Sequence, residues 1–445
     1  MSRSNFPFKI FLLVLPFLWG CRSDDDSMMN PLSVCSDGGV YALDLASDVF
    51  RSNQIWLTEA DGDIAADQEW DIATLGVQFF NFEDACEDAY TMSLAGYRQQ
   101  EPGTISSDGE NLWVREVAEV PNGSNINTRV LLQGTASAVT FMPGYTFEIQ
   151  NCPAIDSVRF WLGADRNNGY GLEPDITLTY QDIENKCIID VQQAVAYAGT
   201  ALLAVRHAAY GTWFGTTVNL FGQVSVDLDF FEMPALETKP INISWQDGLE
   251  DLFVEIRWIN EIGSKRSMVL DVIDKEGDFV VPMPAEAQGP FTIYARQWST
   301  GTREVQQVFD TWPSEVDINF QLEGEVTNFT YPELQYEASG ANIAVANGIY
   351  SGSPNSVENS QRWYAGPAAE GQQSITFAPL SFVLRDSRTE FLYDQAYKAN
   401  ARLKLYNYAN MNSDYSWYLR NVYSDLGTGD HWLKTLDYEM LIVGF

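Results

Sequence analysis

Gln54-Ile-Trp-Leu-Thr58, the turn-like segment Glu59-Ala-Asp-Gly62 and a second run that ends near Trp70 form the stretch that decides the fold class. Polar and apolar residues alternate through the first run, which is the period of a β-strand with one buried face. The acidic, glycine-containing segment has the composition of a tight turn. The stretch therefore predicts a β-hairpin.

The same alternation recurs along the chain. It is seen in Val40–Leu45, Thr217–Phe230, Ile241–Trp245 and Leu252–Trp258, between segments rich in Gly, Asn and Asp. Short strands of this kind, separated by turn residues, are typical of tandem β-sandwiches. We therefore expect a mainly β protein made of immunoglobulin-like sandwich modules.

One segment departs from this pattern and predicts a single helix near residues 190–209. Asp190 offers an N-cap and Gly211 a stop. A turn and a strand around Gly199-Thr200 remain the alternative. The apolar positions at helical spacing are Val191, Ala194, Val195, Ala198, Leu202, Val205 and Ala209.

Two features are expected at the end of the chain and in its middle. The apolar segment Leu436–Phe445 predicts a terminal strand paired inside a sheet, since a frayed tail would be polar.

Ser267–Pro282 has the same order of strand, acidic turn and strand as the hairpin that begins at Gln54. It resembles the turn of carboxypeptidase-regulatory and other immunoglobulin-like modules of surface proteins, which supports repeated sandwiches and carries no function.

The start of the chain predicts its location. Arg3 and Lys9 precede the apolar run Ile10–Trp19, which is too short to span a bilayer, and Leu18-Trp19-Gly20-Cys21 follows at a cleavage position. The pattern resembles a bacterial lipoprotein signal peptide. The resemblance implies cleavage before Cys21 and attachment of diacylglycerol and palmitate-type acyl chains, and several chains anchor a protein stably.

An acidic run follows the cysteine directly. Ser23, Asp24, Asp25 and Asp26 resemble the export signal of Bacteroidota lipoproteins. That resemblance implies an outer-membrane protein that faces the cell exterior. The alternative is a solvated tether that repels anionic headgroups.

Length and Pro-containing segments suggest the domain plan, since 445 residues hold two to four domains. Glu232–Pro240 has the composition of a linker. We expect a signal peptide at 1–20, a lipidated tether at 21–37, a β-sandwich at 38–150, a β-rich module with the helix at 151–235, an immunoglobulin-like sandwich at 236–325 and an aromatic-rich β domain at 326–445.

The charge of the chain limits its partners. Its formal net charge is −35, and removal of Arg3 and Lys9 with the signal leaves 24 basic residues against 61 acidic ones, a net charge of −37. Such a surface repels nucleic acid and anionic membranes. We therefore expect a polysaccharide or an outer-membrane protein as the partner.

The cysteines agree with a location outside the cytoplasm. Cys35, Cys86, Cys152 and Cys187 remain after Cys21, an even number that suggests two disulfides with three possible connectivities. We prefer the sequential pairs Cys35–Cys86 and Cys152–Cys187, because each would staple one module. A zinc site is disfavoured, because no CxxC spacing occurs and no His lies near these cysteines.

Catalytic motifs are absent from the sequence. His207 is predicted to be a structural histidine of the helix, and His431 to lie in a turn. No GxSxG, HExxH or phosphate-binding loop occurs. A hydrolase that uses paired carboxylates is still possible in a chain with 61 acidic residues.

Two segments offer oxygen ligands for calcium. They are Asp61-Gly-Asp63 with Asp67, and Asp165-Arg-Asn-Asn168 with Asp175, but neither fits the twelve-residue calcium loop. We therefore expect no cofactor, with structural calcium as the alternative.

Aromatic residues make the strongest case for binding. Trp19 lies in the signal, so 12 of the 13 Trp belong to the mature chain. Exposed aromatic faces stack on sugar rings, while alternation in strands buries about half of such side chains. The candidate ligand-binding residues of the last domain are Trp363, Tyr364, Tyr415, Trp417, Tyr418 and Trp432.

These observations together predict a non-catalytic binding or accessory subunit. In plan the chain resembles the glycan-binding lipoproteins that accompany TonB-dependent outer-membrane transporters. The resemblance implies capture of glycan for uptake. The alternatives are a docking subunit of an outer-membrane complex, an adhesin, or a carboxylate-based hydrolase.

Overall fold

The computed structural model describes residues 39–45, 52–59, 63–69, 76–82, 87–98, 111–121, 124–126, 144–164, 175–181, 185–192, 200–219, 225–246, 248–249, 251–260, 266–284, 287–297, 303–330, 333–351, 359–377, 402–411, 414–419 and 436–444. Over these ranges the chain is mainly β, as predicted. Cys21 and the acidic run that follows it lie outside the described residues.

The first fourteen strands are β1 (Gly39–Leu45), β2 (Ser52–Thr58), β3 (Ile64–Glu69), β4 (Gly76–Phe82), β5 (Ala89–Arg98), β6 (Asn111–Pro121), β7 (Asn125–Ile126), β8 (Tyr145–Gln150), β9 (Ile155–Ala164), β10 (Asp175–Gln181), β11 (Lys186–Gln192), β12 (Thr200–His207), β13 (Trp213–Asn219) and β14 (Ser225–Asp229). The next fourteen are β15 (Glu237–Trp245), β16 (Leu252–Asn260), β17 (Arg266–Ile273), β18 (Gly277–Met283), β19 (Phe291–Gln297), β20 (Arg303–Phe309), β21 (Glu315–Ile318), β22 (Glu323–Thr330), β23 (Glu333–Ser339), β24 (Ile343–Ser351), β25 (Asn359–Pro367), β26 (Gly371–Thr376), β27 (Arg402–Tyr408) and β28 (Tyr438–Gly444). The short helical elements of the described ranges are the 3-10 turns Phe230–Glu232 and Ala409–Met411 and one α-helical turn, α1 (Tyr415–Tyr418).

The described strands form one large sheet and four smaller ones. The large sheet has 15 strands in the order β13-β12-β9-β17-β16-β19-β20-β28-β27-β24-β25-β6-β5-β2-β3. The smaller sheets have the orders β4-β1-β7, β10-β11-β8-β14, β18-β15-β21 and β22-β23-β26. Successive modules therefore contribute strands to a common sheet.

Three of the smaller sheets each bury an apolar face against part of the large sheet. Period-two alternation supplies that face, as in β8, where Tyr145, Phe147 and Ile149 are the buried positions. The three cores pair Phe147 and Ile189 with Phe160 and Leu203, Ile241 and Val281 with Val254 and Ile293, and Leu334 and Ile375 with Ala344 and Leu405. This layering confirms the tandem β-sandwiches.

The hairpin predicted from Gln54 to about Trp70 is confirmed. β2 and β3 pair antiparallel from Gln54↔Glu69 to Thr58↔Ile64. The turn between them is closed by the Glu59 N–H, which donates to the Asp63 carbonyl over 2.9 Å. Ile55 and Leu57 are fully buried, as predicted, but Trp56 and Thr58 are buried too, so this strand is covered on both faces.

The predicted helix near residues 190–209 is wrong. Lys186–Gln192 forms β11 and Thr200–His207 forms β12, on opposite sheets of one sandwich. The fully buried positions of β12 run without a break from Ala201 to Val205. A strand covered on both faces has a continuous apolar run, and such a run matches helical and strand periods equally well.

The predicted linker is shorter than the sequence suggests. Glu237–Pro240 already belongs to β15, where Pro240 pairs with Val280 of β18. Ser267–Pro282 also contains its two expected strands, but β17 pairs with β16 and β9 while β18 pairs with β15. The acidic turn thus crosses from one sheet of a sandwich to the other.

The terminal strand is confirmed. β28 pairs antiparallel with β27 over Arg402–Tyr408 and with β20 over Arg303–Gln306. Both of its edges are therefore hydrogen-bonded inside the large sheet. Its last paired residue is Gly444.

Strands from the first and last parts of the chain also share a core. β6 pairs in parallel with β25, from Asn111↔Asn359 to Val117↔Ala365. Met92 and Leu94 of β5 pack in one cluster with Tyr406 and Tyr408 of β27. The predicted boundaries at 150, 235 and 325 stay predictions, and sheet pairing continues across each of them.

Among the helices of the described residues, none is both long and apolar enough to cross a membrane.

Candidate functional site

Two aromatic side chains are far more exposed than the other aromatic residues whose burial the structure describes. Phe231 is 80% exposed and Tyr210 is 78% exposed, the highest values among the exposed large apolar residues of the described ranges. His207 lies between their segments, because its ring contacts both Tyr210 and the buried Phe230. We call Tyr210, Phe231 and His207 the aromatic tip.

The turn between β12 and β13 holds Tyr210 outside the sandwich. The Gly211 N–H donates to the His207 carbonyl over 2.8 Å, and the His207 N–H donates to the Thr212 carbonyl over 2.9 Å. Gly211 has a φ of +66°, a conformation that favours glycine. Tyr210 therefore sits at the apex of a hydrogen-bonded turn, where no facing sheet can cover it.

His207 orients this turn through its ring. Its Nδ1 accepts a hydrogen bond of 3.1 Å from the Ala209 N–H, so the proton of the neutral ring lies on Nε2. The ring centroid is 4.5 Å from that of Tyr210. His207 is thus the last residue of a strand and not part of a helix, which corrects the sequence prediction.

The second aromatic residue is exposed by a short 3-10 turn. Asp229 caps Phe230–Glu232, since its carboxylate accepts from the Phe231 N–H over 3.0 Å. The Phe230 ring packs inward, 4.8 Å from that of Phe214. With Phe230 in the core, the next side chain, Phe231, lies in solvent.

A disulfide and several hydrogen bonds hold the polypeptide around the aromatic tip. Cys152 and Cys187 form a disulfide with their Cα atoms 5.6 Å apart, the pair preferred from the sequence. Asn151 donates to both carboxylate oxygens of Asp229 over 3.0 and 3.1 Å. The Tyr180 hydroxyl accepts from the Ile155 N–H and donates to the Ile155 carbonyl. The site is therefore held in place before any ligand binds.

Charged side chains lie close to the turn. Arg206 precedes His207, and its Nε is 3.9 Å from Oδ1 of Asp156, a separation too long for a hydrogen bond. The guanidinium also lies near Gly211. Both side chains are partly exposed, so each keeps hydrogen-bonding capacity for a ligand.

Tyr418, by contrast, is fully buried, which corrects its prediction as a residue of an exposed binding surface. It packs on the core formed by Tyr408 and Tyr438, because α1 lies against the inner face of β27 and β28. Tyr415 and Trp417 are half-buried against the same core. The Tyr415 hydroxyl donates to the Ala118 carbonyl over 2.9 Å.

The remaining predicted site residues lie in different surroundings. Tyr364 is half-buried and meets Phe377 edge-on, with ring centroids 6.2 Å apart. Burial raises the pKa of Tyr364 well above its usual value, and the nearby Tyr336 and Glu116 raise it further. Trp363 pairs with Arg115 in the sheet. Trp432, and the cysteines of the predicted Cys35–Cys86 disulfide, lie outside the described residues.

A buried charge pair also escaped the sequence analysis. Val254 and Ile256 face a sandwich core, so the alternate residues Glu255 and Arg257 project from the other face of β16. They are 6% and 1% exposed, and Arg257 Nε donates to Glu255 over 2.6 Å. The guanidinium lies 4.4 Å from the centre of the Tyr294 ring. These charges are paired inside the fold and are not an accessible acid–base couple.

Metal-binding groups were sought in the same ranges. Among the residues that the structure describes, no three His, Cys, Asp or Glu side chains are grouped to hold a metal ion. Asp63 and Asp67 are described and exposed, whereas Asp61, Asp165 and His431 lie outside the described part. Calcium at either predicted loop stays a prediction.

No protein-family model matches the chain, and no curated protein matches it. Solved structures give remote likenesses. A fimbrial assembly protein from Parabacteroides distasonis is 7% identical, covering 68% of this chain and 95% of that one, with a TM-score of 0.13. A putative adhesin from Bacteroides ovatus is 8% identical, covering 68% and 92%, with a TM-score of 0.13. A Bacteroides ovatus protein of a mixed-linkage glucan utilization locus, solved with a heptasaccharide, is 10% identical, covering 84% and 96%, with a TM-score of 0.09. Likenesses this low assign neither fold nor function.

Proposed function

We propose that this chain is a lipid-anchored protein of the bacterial cell surface that captures carbohydrate without transforming it. The observation that carries the proposal is the aromatic tip, where Tyr210 and Phe231 are 78% and 80% exposed on a part of the fold held by a disulfide. Aromatic rings that stay exposed on a rigid frame are characteristic of binding surfaces.

The location rests on the start of the chain. Cys21 would carry the lipid, and Ser23, Asp24, Asp25 and Asp26 would direct the protein to the outer face of the outer membrane. Mass spectrometry of the protein from its native membrane should find acyl chains on Cys21. Protease added to intact cells should degrade the protein, and protection from protease would contradict surface display.

The accessory role follows from combining capture with this location. A surface protein that binds glycan without cleaving it would serve a transporter, and we propose a TonB-dependent uptake system as its partner. The acidic surface, with a formal net charge of −35, is consistent with a partner other than nucleic acid.

Affinity electrophoresis of the mature protein through gels that contain neutral polysaccharides tests carbohydrate capture. We expect retardation by at least one polysaccharide and no release of reducing ends during incubation. Pull-down from solubilised outer membrane should recover a transporter. A protein that no glycan retards, and that instead recovers a stoichiometric non-transporter partner, would be a docking subunit or adhesin.

A further inference from the structure

The Tyr210 ring is unobstructed within its own turn. Its neighbours Ala208, Ala209 and Gly211 carry at most a methyl group, and all three are exposed. The Tyr210 hydroxyl makes no hydrogen bond within the described part of the chain. A flat ligand can therefore approach the ring face without displacing a larger side chain of the turn.

Polar groups around this ring supply both donors and acceptors. His207 uses Nδ1 for the Ala209 N–H, and its Nε2 has no hydrogen-bond partner among the described residues. Arg206 and Asp156 are 44% and 39% exposed in their side chains. A sugar ring has C–H groups on its faces and hydroxyls around its edge. It therefore binds an apolar side-chain face that is flanked by hydrogen-bond donors and acceptors, which is the arrangement present here.

The size of the apolar surface favours a sugar over a protein. A stable protein interface buries about 800 Å² on each partner, around a core of several aromatic side chains. The tip offers two strongly exposed rings, Tyr210 and Phe231. That area suits one or two sugar units of a chain.

The local charge selects among glycans. Asp156 lies beside Arg206, Glu232 follows Phe231 in the chain, and the formal net charge of the whole chain is −35. A uronate or sulfated polymer would be repelled at low ionic strength. A polymer without charge meets no such barrier.

We infer that the aromatic tip binds an uncharged pyranose unit, which stacks on the Tyr210 ring, accepts hydrogen bonds from Arg206 and from His207 Nε2, and donates a hydroxyl hydrogen bond to the Asp156 carboxylate. Phe231 contacts a further unit of the same chain. This inference rests on the proposed function and names its site and ligand class.

Affinity electrophoresis with Tyr210→Ala tests the site, using a neutral glucan or mannan that retards the wild type. We expect the Tyr210→Ala dissociation constant to rise about tenfold or more, since one well-placed aromatic contact accounts for that much affinity. Phe231→Ala should weaken binding by a smaller factor. Val280→Ala, which removes a 55% exposed apolar side chain of β18, should leave the constant unchanged and serves as the matched control.

The outcomes separate this inference from the proposed function. Binding that survives Tyr210→Ala and Phe231→Ala together would overturn the site and leave carbohydrate capture standing. Retardation by polyuronate but by no neutral polymer would overturn the ligand class. Wild-type protein that no polysaccharide retards would refute capture itself. Circular dichroism of each variant shows whether a loss reflects unfolding.

Discussion

Tyrosines in two regions of this fold differ sharply in their exposure to solvent. Tyr406, Tyr408 and Tyr438 lie in adjacent strands and are at most 3% exposed, whereas Tyr210 in the β12–β13 turn is 78% exposed. The Tyr406 and Tyr408 rings stack with centroids 5.4 Å apart. Whether a second layer covers the residue, and not the local density of aromatic residues, decides which tyrosines can meet a ligand.

The buried tyrosines also remain uncharged. Burial raises the pKa of Tyr406 and Tyr408 well above the ordinary value of a phenol, and the neighbouring Glu304 raises both further. These hydroxyls therefore stay neutral throughout the physiological range. They contribute packing to the core and offer nothing to a glycan.

Truncation of Tyr408 should destabilise the fold strongly, because its ring belongs to the buried core. Tyr408→Ala leaves a large cavity, so we expect the free energy of unfolding to fall by about 3–5 kcal/mol. Urea denaturation followed by fluorescence measures it. Tyr408→Phe is the control, because the Tyr408 hydroxyl has no partner among the described residues and its removal should change stability by less than about 1 kcal/mol. An equal loss in both variants would contradict a packing role.

Removal of the disulfide should show how much it stabilises the part of the fold that carries the aromatic tip. Cys152 and Cys187 are 35 residues apart, and a loop of that size stabilises a fold by about 2–4 kcal/mol. The Cys152→Ser and Cys187→Ser double variant should lose that amount in thermal denaturation. Reduced wild-type protein should behave in the same way, and a difference between the two would point to an effect of the serines themselves.

The terminal strand adds a pH-dependent effect. Glu439 accepts from the N–H groups of Gln321 and Leu322, both over 2.8 Å. Desolvation raises its pKa, although those two hydrogen bonds and the charge of Arg303 lower it. Because the folded pKa exceeds the unfolded one, this carboxyl stabilises the fold at pH values below the unfolded pKa, and that contribution is lost as pH rises through the folded pKa.

Glu439→Gln removes this titration and keeps an acceptor for both N–H groups. We expect the stability of the wild type relative to the variant to decline as the pH rises above about 4, the ordinary range of a glutamate carboxyl. Thermal denaturation across that range measures the decline. Parallel curves for the two proteins would show that Glu439 does not titrate differently in the folded chain.

The smallest effect on stability is expected at the tip. Tyr210 packs on little besides His207, so Tyr210→Ala should change the free energy of unfolding by no more than about 0.5 kcal/mol. The contrast with Tyr408→Ala can be measured in the same denaturation experiment. A loss of similar size in both variants would mean that Tyr210 belongs to the core.

Strand positions were predictable from the sequence wherever one face is polar. Ile241–Trp245 carries that signal, with Ile241 and Ile243 buried and Asn242 and Ser244 partly exposed, and it lies within β15. Residues 201–205 lack it, since both faces of β12 are covered, and the helical interpretation failed there. Glu255 and Arg257 were not identified from the sequence, although both are buried on the second face of β16 and pair with each other there.

The candidate site was less accessible to prediction. Tyr210 stands alone in a turn, and no periodic pattern marks it. The only local signals are the small residues around it and the glycine that closes the turn. The aromatic-rich segment between Trp363 and Trp432 was predicted as the site instead, because composition does not reveal which faces a second sheet will cover.

The position of β28 has a consequence for how the protein is made. The strand that joins β20 to β27 follows both of them in the chain, so neither neighbour gains its final pairing until residues 438–444 have left the ribosome. A chain cut short by only ten residues would expose two open sheet edges, each able to pair with another molecule.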